Sequence, residues 1–167
     1  DPARANSLGE ILNAGMNGRT DDLVRETSDF EKKFLASYQD QATIDVAGSF
    51  LRYSAKPGPK TIPLIWWAKP FPGNFGDWLS PLMISNFTDN KISFQAPTKP
   101  ISHKQLVSIG SIGRFIKPNS IVVGTGISSE DILLSKKADY VSVRGPLTAA
   151  VLAKSGGPKI ESFGDPG

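Results

Sequence analysis

The sequence predicts an α/β domain, with a mostly parallel sheet of five or six strands preceded by a helical N-terminal segment. Three observations lead to it. Beyond residue 60, short apolar runs alternate with helical stretches, the pattern of strands joined by crossover helices. Those apolar runs tend to end in glycine or small polar residues, as strands do where they leave a sheet. The chain has 167 residues, 39% hydrophobic and 21% charged, which suits one domain with a buried core rather than disorder or a membrane-embedded protein. No apolar stretch approaches the ~20 residues that span a bilayer, and no signal-peptide pattern opens the chain.

Residues 1–50 read as helical and partly amphipathic. Asn13, Gly15, Asn17 and Gly18 read as turn residues that interrupt the first part. Asp21-Asp22-Leu23-Val24-Arg25-Glu26 places acids ahead of an apolar run, a helix start. From Ser28 to Tyr38 the spacing of Phe30, Phe34, Leu35 and Tyr38 predicts one face of a helix. Lys56-Pro57-Gly58-Pro59-Lys60 is a linker, because two prolines around a glycine do not fit a helix interior. The chain thus divides into a helical segment with its linker, residues 1–60, and a sheet domain, residues 61–167. Ile62 to Trp67 is the first strand, and after a Gly/Pro-rich loop Asp77 to Asn86 reads as a helix. Lys91 to Gln95, Gln105 to Gly110, Ser120 to Gly124 and Asp139 to Val143 follow as strands. Pro146 to about Lys154 is a helix with proline in its first turn, stopped by Gly156-Gly157-Pro158, and Lys159 to Phe163 is a last strand. The alternation makes the sheet domain Rossmann-like.

The net charge is +3, with residues 1–60 slightly acidic and residues 61–167 basic. A basic second part suits an anionic small ligand. Its cations are scattered without interleaved aromatics, so no nucleic-acid partner is expected. The absence of Cys excludes disulfides and thiol chemistry, and with a single histidine no metal site is expected. That histidine, His103, sits in a polar loop and reads as a surface residue. Trp66 and Trp67 read as sheet residues, and Trp78 suits either core packing or stacking on a sugar. Asn86-Phe87-Thr88 matches a glycosylation sequon.

In an open parallel sheet, ligands bind beyond the carboxyl ends of the strands. Four strand endings stand out: Gly73-Asn74-Phe75-Gly76-Asp77, Gly110-Ser111-Ile112-Gly113, Gly124-Thr125-Gly126 and Arg144-Gly145-Pro146-Leu147-Thr148. None matches a dinucleotide fingerprint or a phosphate loop. Taken in order with Gly164-Asp165-Pro166, however, Asn74-Phe75-Gly76-Asp77-Trp78-Leu79, Gly110-Ser111, Val123-Gly124-Thr125-Gly126 and Val143-Arg144-Gly145-Pro146-Leu147-Thr148 form a series. That series resembles the N-terminal half of the polysaccharide pyruvyl transferases, over roughly residues 62–167.

The resemblance implies half of a two-domain, glycosyltransferase-B-like enzyme, completed by a C-terminal domain or second chain that this sequence lacks. The implied reaction moves pyruvate from phosphoenolpyruvate onto sugar hydroxyls as a ketal, in exopolysaccharide or cell-surface glycan synthesis. Phosphoenolpyruvate is then the donor substrate, a carbohydrate the acceptor, and no further cofactor is needed. Such an enzyme works in the cytoplasm if bacterial and in the Golgi lumen if eukaryotic. Ketal formation from an enol phosphate needs an anion pocket, an acid and a base. Arg144, a guanidinium directly after a strand, is the donor-binding candidate, with Ser111, Gly110 and Thr125 as further anion contacts. Asp77 is the catalytic candidate, the plain alternative being a helix cap. Asn74 and Gly76 are candidates for holding the acceptor or the loop. Arg144 and Asp77 are expected in one cleft, beside an apolar or weakly polar face near Gly164–Gly167. The rival readings are a sugar-nucleotide glycosyltransferase domain and a non-catalytic binding module.

Overall fold

Helix formation starts at Asp1, whose carboxylate accepts from Ala3 N at 2.9 Å and caps α1 (Pro2–Met16). The computed structural model describes residues 1–167. Asn13 and Gly15, expected in a turn, lie inside α1; only Asn17 and Gly18 end it. Gly15 serves packing: a Cβ there would come within 2.2 Å of the Ala47 carbonyl oxygen on the facing helix. α2 (Thr20–Lys33) has Asp21 and Asp22 in its first turn and Lys32 and Lys33 in its last, each sign matching the helix dipole.

The helical face expected from Ser28 to Tyr38 needs correction. α2 stops at Lys33, Phe34 is extended, and Leu35 and Tyr38 are 94% and 89% exposed. A stronger local signal competes with the apolar spacing. Ser37 and Asp40 cap each other's backbone N–H and start α3 (Tyr38–Arg52). Asp40 also pairs with Arg4, which ties the start of α3 to α1. Ile11, Leu12, Phe30, Ile44 and Ala47 form the core of the three helices.

After the loop at Lys56–Lys60 come β1 (Thr61–Ile65), α4 (Phe75–Asn86), β2 (Lys91–Gln95) and β3 (Gln105–Val107). A single 3-10 turn (Gly113–Phe115), β4 (Ser120–Val123), β5 (Asp139–Ser142) and α5 (Pro146–Lys154) complete the chain. The five strands lie in the order β2-β1-β3-β4-β5 and every neighbouring pair is parallel. This is a doubly wound strand order, consistent with a Rossmann-like fold, and it reverses direction between β1 and β3.

Four strands stop one to three residues short of their expected ends. The chain there leaves the ladder for other partners; Ile109 N, for example, donates to Ser80 Oγ of α4 at 3.2 Å. The expected last strand, Lys159–Phe163, is reduced to one parallel bridge between Val143 and Phe163. Its residues are mostly exposed and offer no apolar face to hold a longer ladder.

Alternate residues of each strand point to opposite faces. Ile65, Val107 and Val122 pack with Val151 and Leu152 of α5 and with Ile112 and Ile116 around the 3-10 turn. Leu64, Trp66 and Ile92 pack on the other side against Phe50 of α3. The Phe50 ring lies 5.0 Å from both Trp78 and Phe94 and 6.1 Å from Trp66 and Phe71. The N-terminal helices therefore share a core with the sheet. Trp78 takes the core role, its indole N–H donating to the Pro72 carbonyl at 3.1 Å. No helix is long and apolar enough to cross a membrane.

Candidate functional site

The loops leaving β1, β3 and β5 meet at the carboxyl edge of the sheet, where the strand order reverses. They enclose a cleft of about 410 Å³. Asn74, Gly76, Asp77, Gly110, Ser111 and Arg144 all line it, so six of the seven candidate residues come together. Leu79, Ile109, Asp165 and Gly167 complete the wall.

α4 presents Asp77 through a cap that the sequence pattern had assigned differently. The helix opens at Phe75, and its N-cap is Asn74, whose Oδ1 accepts from Asp77 N at 2.9 Å. Asn74 Nδ2 donates in turn to Asp77 Oδ2. The backbone N–H that a capping Asp would take is thus already bonded, and the Asp77 carboxylate is held by a side chain alone. It is 9% exposed. Burial pushes its pKa above the ordinary carboxylate value, and the Asn74 hydrogen bond only partly opposes this. A carboxylate that holds its proton more tightly is a better general base.

Gly110 follows β3 with φ +99, a conformation that favours glycine, and a Cβ there would stand 3.3 Å from Asp77 Oδ1. Its carbonyl accepts from Gly126 N and from Thr125 Oγ1, both at 2.9 Å. The backbone N–H groups of Gly110 and Ser111 donate to no protein atom. Thr125 is the one candidate that must be corrected. It is fully buried and its hydroxyl is committed to the Gly110 carbonyl, so it positions the loop and does not line the cleft.

Arg144 leaves β5 with its backbone N–H on the Thr125 carbonyl at 3.1 Å. Its side chain is half-buried and folds back over Gly126, where a Cβ would come within 2.3 Å of the guanidinium carbon. Nη2 donates to the Ile127 carbonyl at 3.3 Å, and no carboxylate lies within ion-pair distance. A half-buried guanidinium with one weak neutral partner beside two free N–H groups favours an anion.

Asp165 was legible only as part of a motif, and its role as a wall residue was not. It comes to the cleft because Val143 bridges to Phe163 and carries the chain back to the sheet edge. Leu79 was likewise legible only within its motif, Ile109 only as a strand residue and Gly167 only beside the face expected at Gly164–Gly167. His103 is exposed, as its polar loop suggests. A larger concavity, about 720 Å³, is an open groove between α2 and α3. Its charged residues, Glu31, Asp45 and Arg52, are exposed. The smaller cleft is the better candidate because a buried carboxylate and an unpaired guanidinium converge there.

No family model matches the chain, and neither a curated protein nor a solved structure matches it.

Proposed function

We propose that the chain is the donor-binding half of a pyruvyl transferase, which moves pyruvate from phosphoenolpyruvate onto two hydroxyls of a sugar as a ketal. The observation that supports this best is convergence. Anion-binding groups (Arg144 and the free N–H groups of Gly110 and Ser111) and a buried carboxylate (Asp77) line one cleft at the reversal of strand order.

In this mechanism Arg144 grips the donor's carboxylate or phosphate, and the Gly110–Ser111 turn holds the other anionic group. Protonation of the donor's methylene carbon makes its neighbouring carbon electrophilic. The first sugar hydroxyl attacks there, and Asp77 takes its proton. The second hydroxyl attacks the same carbon as the carbon–oxygen bond to phosphate breaks. Two carbon–oxygen bonds form; of the two hydroxyl protons, one balances the new methyl group and the other leaves with phosphate. Asn74 orients Asp77, and Gly76, in the first turn of α4, keeps a Cβ from coming within 3.3 Å of Asn74 Oδ1.

A second domain, in a glycosyltransferase-B-like arrangement, would close this cleft. Phe75, Leu147 and Phe163 are 79%, 54% and 48% exposed and each lies close in sequence to a cleft residue. They are exposed apolar side chains of the kind such docking uses. The work of such a domain is polysaccharide or cell-surface glycan synthesis.

Calorimetric titration of the chain with phosphoenolpyruvate and with UDP-glucose tests the proposal. Phosphoenolpyruvate should bind, and Arg144→Lys should weaken it by about ten- to hundredfold, because lysine keeps the charge and loses the two-pronged hydrogen bond. Binding of the nucleotide sugar without phosphoenolpyruvate would favour a glycosyltransferase domain. Binding of neither would favour a non-catalytic module.

A further inference from the structure

We infer that a second pocket, sharing Asp77 and Ser111 with the donor cleft, is a subsite for a negatively charged acceptor sugar ring, with Trp67 and Phe115 as its stacking wall and Arg114 as its anion contact. The inference rests on the assignment of the neighbouring cleft to the donor. The pocket measures about 290 Å³, the lower end of ligand sites, which suits one sugar ring rather than a polymer segment.

Its wall is an aromatic pair. Trp67 and Phe115 stack with centroids 5.3 Å apart and planes 12° from parallel. Both are half-buried against the sheet core and both border the pocket. Trp67 and Arg114 engage the Phe115 ring, so Trp67 is the ring of the pair left to meet the C–H face of a pyranose, with the sugar's hydroxyls free at its edge. Ser128 borders the same space.

Arg114 supplies the charge selection. Its guanidinium stands 5.1 Å from the Phe115 centroid, forms no ion pair and donates to no carboxylate of this chain. Stacking on Phe115 pre-orients the planar fork toward a carboxylate or phosphate on the sugar. Asp77 borders the pocket as well and repels an anion, so a charged ring enters with its anionic group toward Arg114 and its hydroxyls toward Asp77. This is the orientation in which a hydroxyl can give its proton to Asp77. Two unpaired guanidinium groups, Arg144 and Arg114, thus border pockets that have one carboxylate in common.

The test is calorimetric titration of the chain with methyl β-D-glucuronide, glucose 6-phosphate and neutral methyl β-D-glucoside, with the three tryptophan indole N–H signals followed by NMR. At least one anionic probe should bind more tightly than the neutral glycoside, and the tighter of the two identifies the source of the charge. Arg114→Gln should weaken that binding about ten- to hundredfold. Arg114 is exposed, so the variant keeps the fold. The Trp67 indole signal should move while those of Trp66 and Trp78 stay. Equal binding of the neutral glycoside, an unchanged affinity in Arg114→Gln, or a stationary Trp67 signal would overturn the inference. Phosphoenolpyruvate binding and its response to Arg144→Lys report on the donor cleft alone, so either assignment can fail without the other.

Discussion

Gly126→Ala should disable the proposed anion site without replacing any residue that binds the anion. The Arg144 guanidinium lies directly over Gly126, and a Cβ would meet Cζ and Nε at 2.3 Å and Nη2 at 2.4 Å. Ordinary contact between such atoms is about 3.5–4.0 Å, so the guanidinium must retreat by about 1.2–1.7 Å. A flexible side chain can do this cheaply. Gly126 does not have a positive φ, so alanine brings no backbone strain, and the structural loss is the 3.3 Å hydrogen bond to Ile127, worth about 0.5–1.5 kcal/mol. The functional loss is larger. A retreat of more than about 1 Å takes the fork out of the 2.7–3.2 Å range of a hydrogen bond to an anion held by the Gly110–Ser111 turn. Losing one charge-assisted bond costs about 1.5–3 kcal/mol, or roughly ten- to hundredfold in affinity. Titration calorimetry with phosphoenolpyruvate gives the affinity, and urea unfolding gives the stability. An unchanged affinity would refute the role of the Arg144 seat, and a stability loss above about 2 kcal/mol would refute the claim that only the side chain yields.

If the proposed function holds, Asp77→Asn should abolish ketal formation in the completed enzyme, and in this chain it should raise stability at neutral pH. Burial raises the Asp77 pKa, so the folded state favours the protonated form, and stability is lost as pH rises through the folded value; asparagine removes that loss while still accepting from Asn74. Thermal melts of both proteins at acid and neutral pH check the sign, because the gap between them should close on acidification. Phe50→Ala should cost about 3–5 kcal/mol, since a fully buried aromatic packed against four others is removed, and tryptophan fluorescence and helical circular dichroism should shift together in urea. A helical signal that keeps its midpoint would contradict the shared core. Hydrogen bonds from Arg4 and Ser37 hold Asp40 well below the ordinary carboxylate value near 3.8. Its contribution is therefore present above that value and lost as pH falls through the lower folded one. Amide exchange in α1 should rise at higher pH in Arg4→Met than in the parent chain, and identical profiles would refute the coupling.

Much of the architecture is local and so is readable along the chain. The runs Ile62–Ile65 and Ser120–Val123 are short and apolar, and they form strands. Pro146 preorganises the first turn of α5, and the Pro-Gly-Pro linker breaks the helical region from the sheet, because proline and glycine act through their own backbone. Arg144, Asp77, Asn74, Gly76, Gly110 and Ser111 were legible for a topological reason: parallel strands send every following loop to the same edge.

Contacts distant in sequence decided the rest. The Ser28–Tyr38 spacing looked helical because periodicity counts apolar residues, but the Ser37–Asp40 cap and the Arg4–Asp40 pair set where one helix stops and the next begins. Gly15 and Thr125 have meanings that only their partners supply, the Ala47 backbone for one and the Gly110 carbonyl for the other. The Trp67–Phe115 stack with Arg114 beside it was invisible for the same reason: 48 positions separate the two rings, and the sheet brings them together. The amino-acid order by itself determined the parallel α/β plan and the edge at which the candidate residues gather, since both follow from backbone propensity and strand direction. Only the folded chain decided which hydroxyls, carbonyls and rings meet there, because close packing brings those partners together from far along the chain.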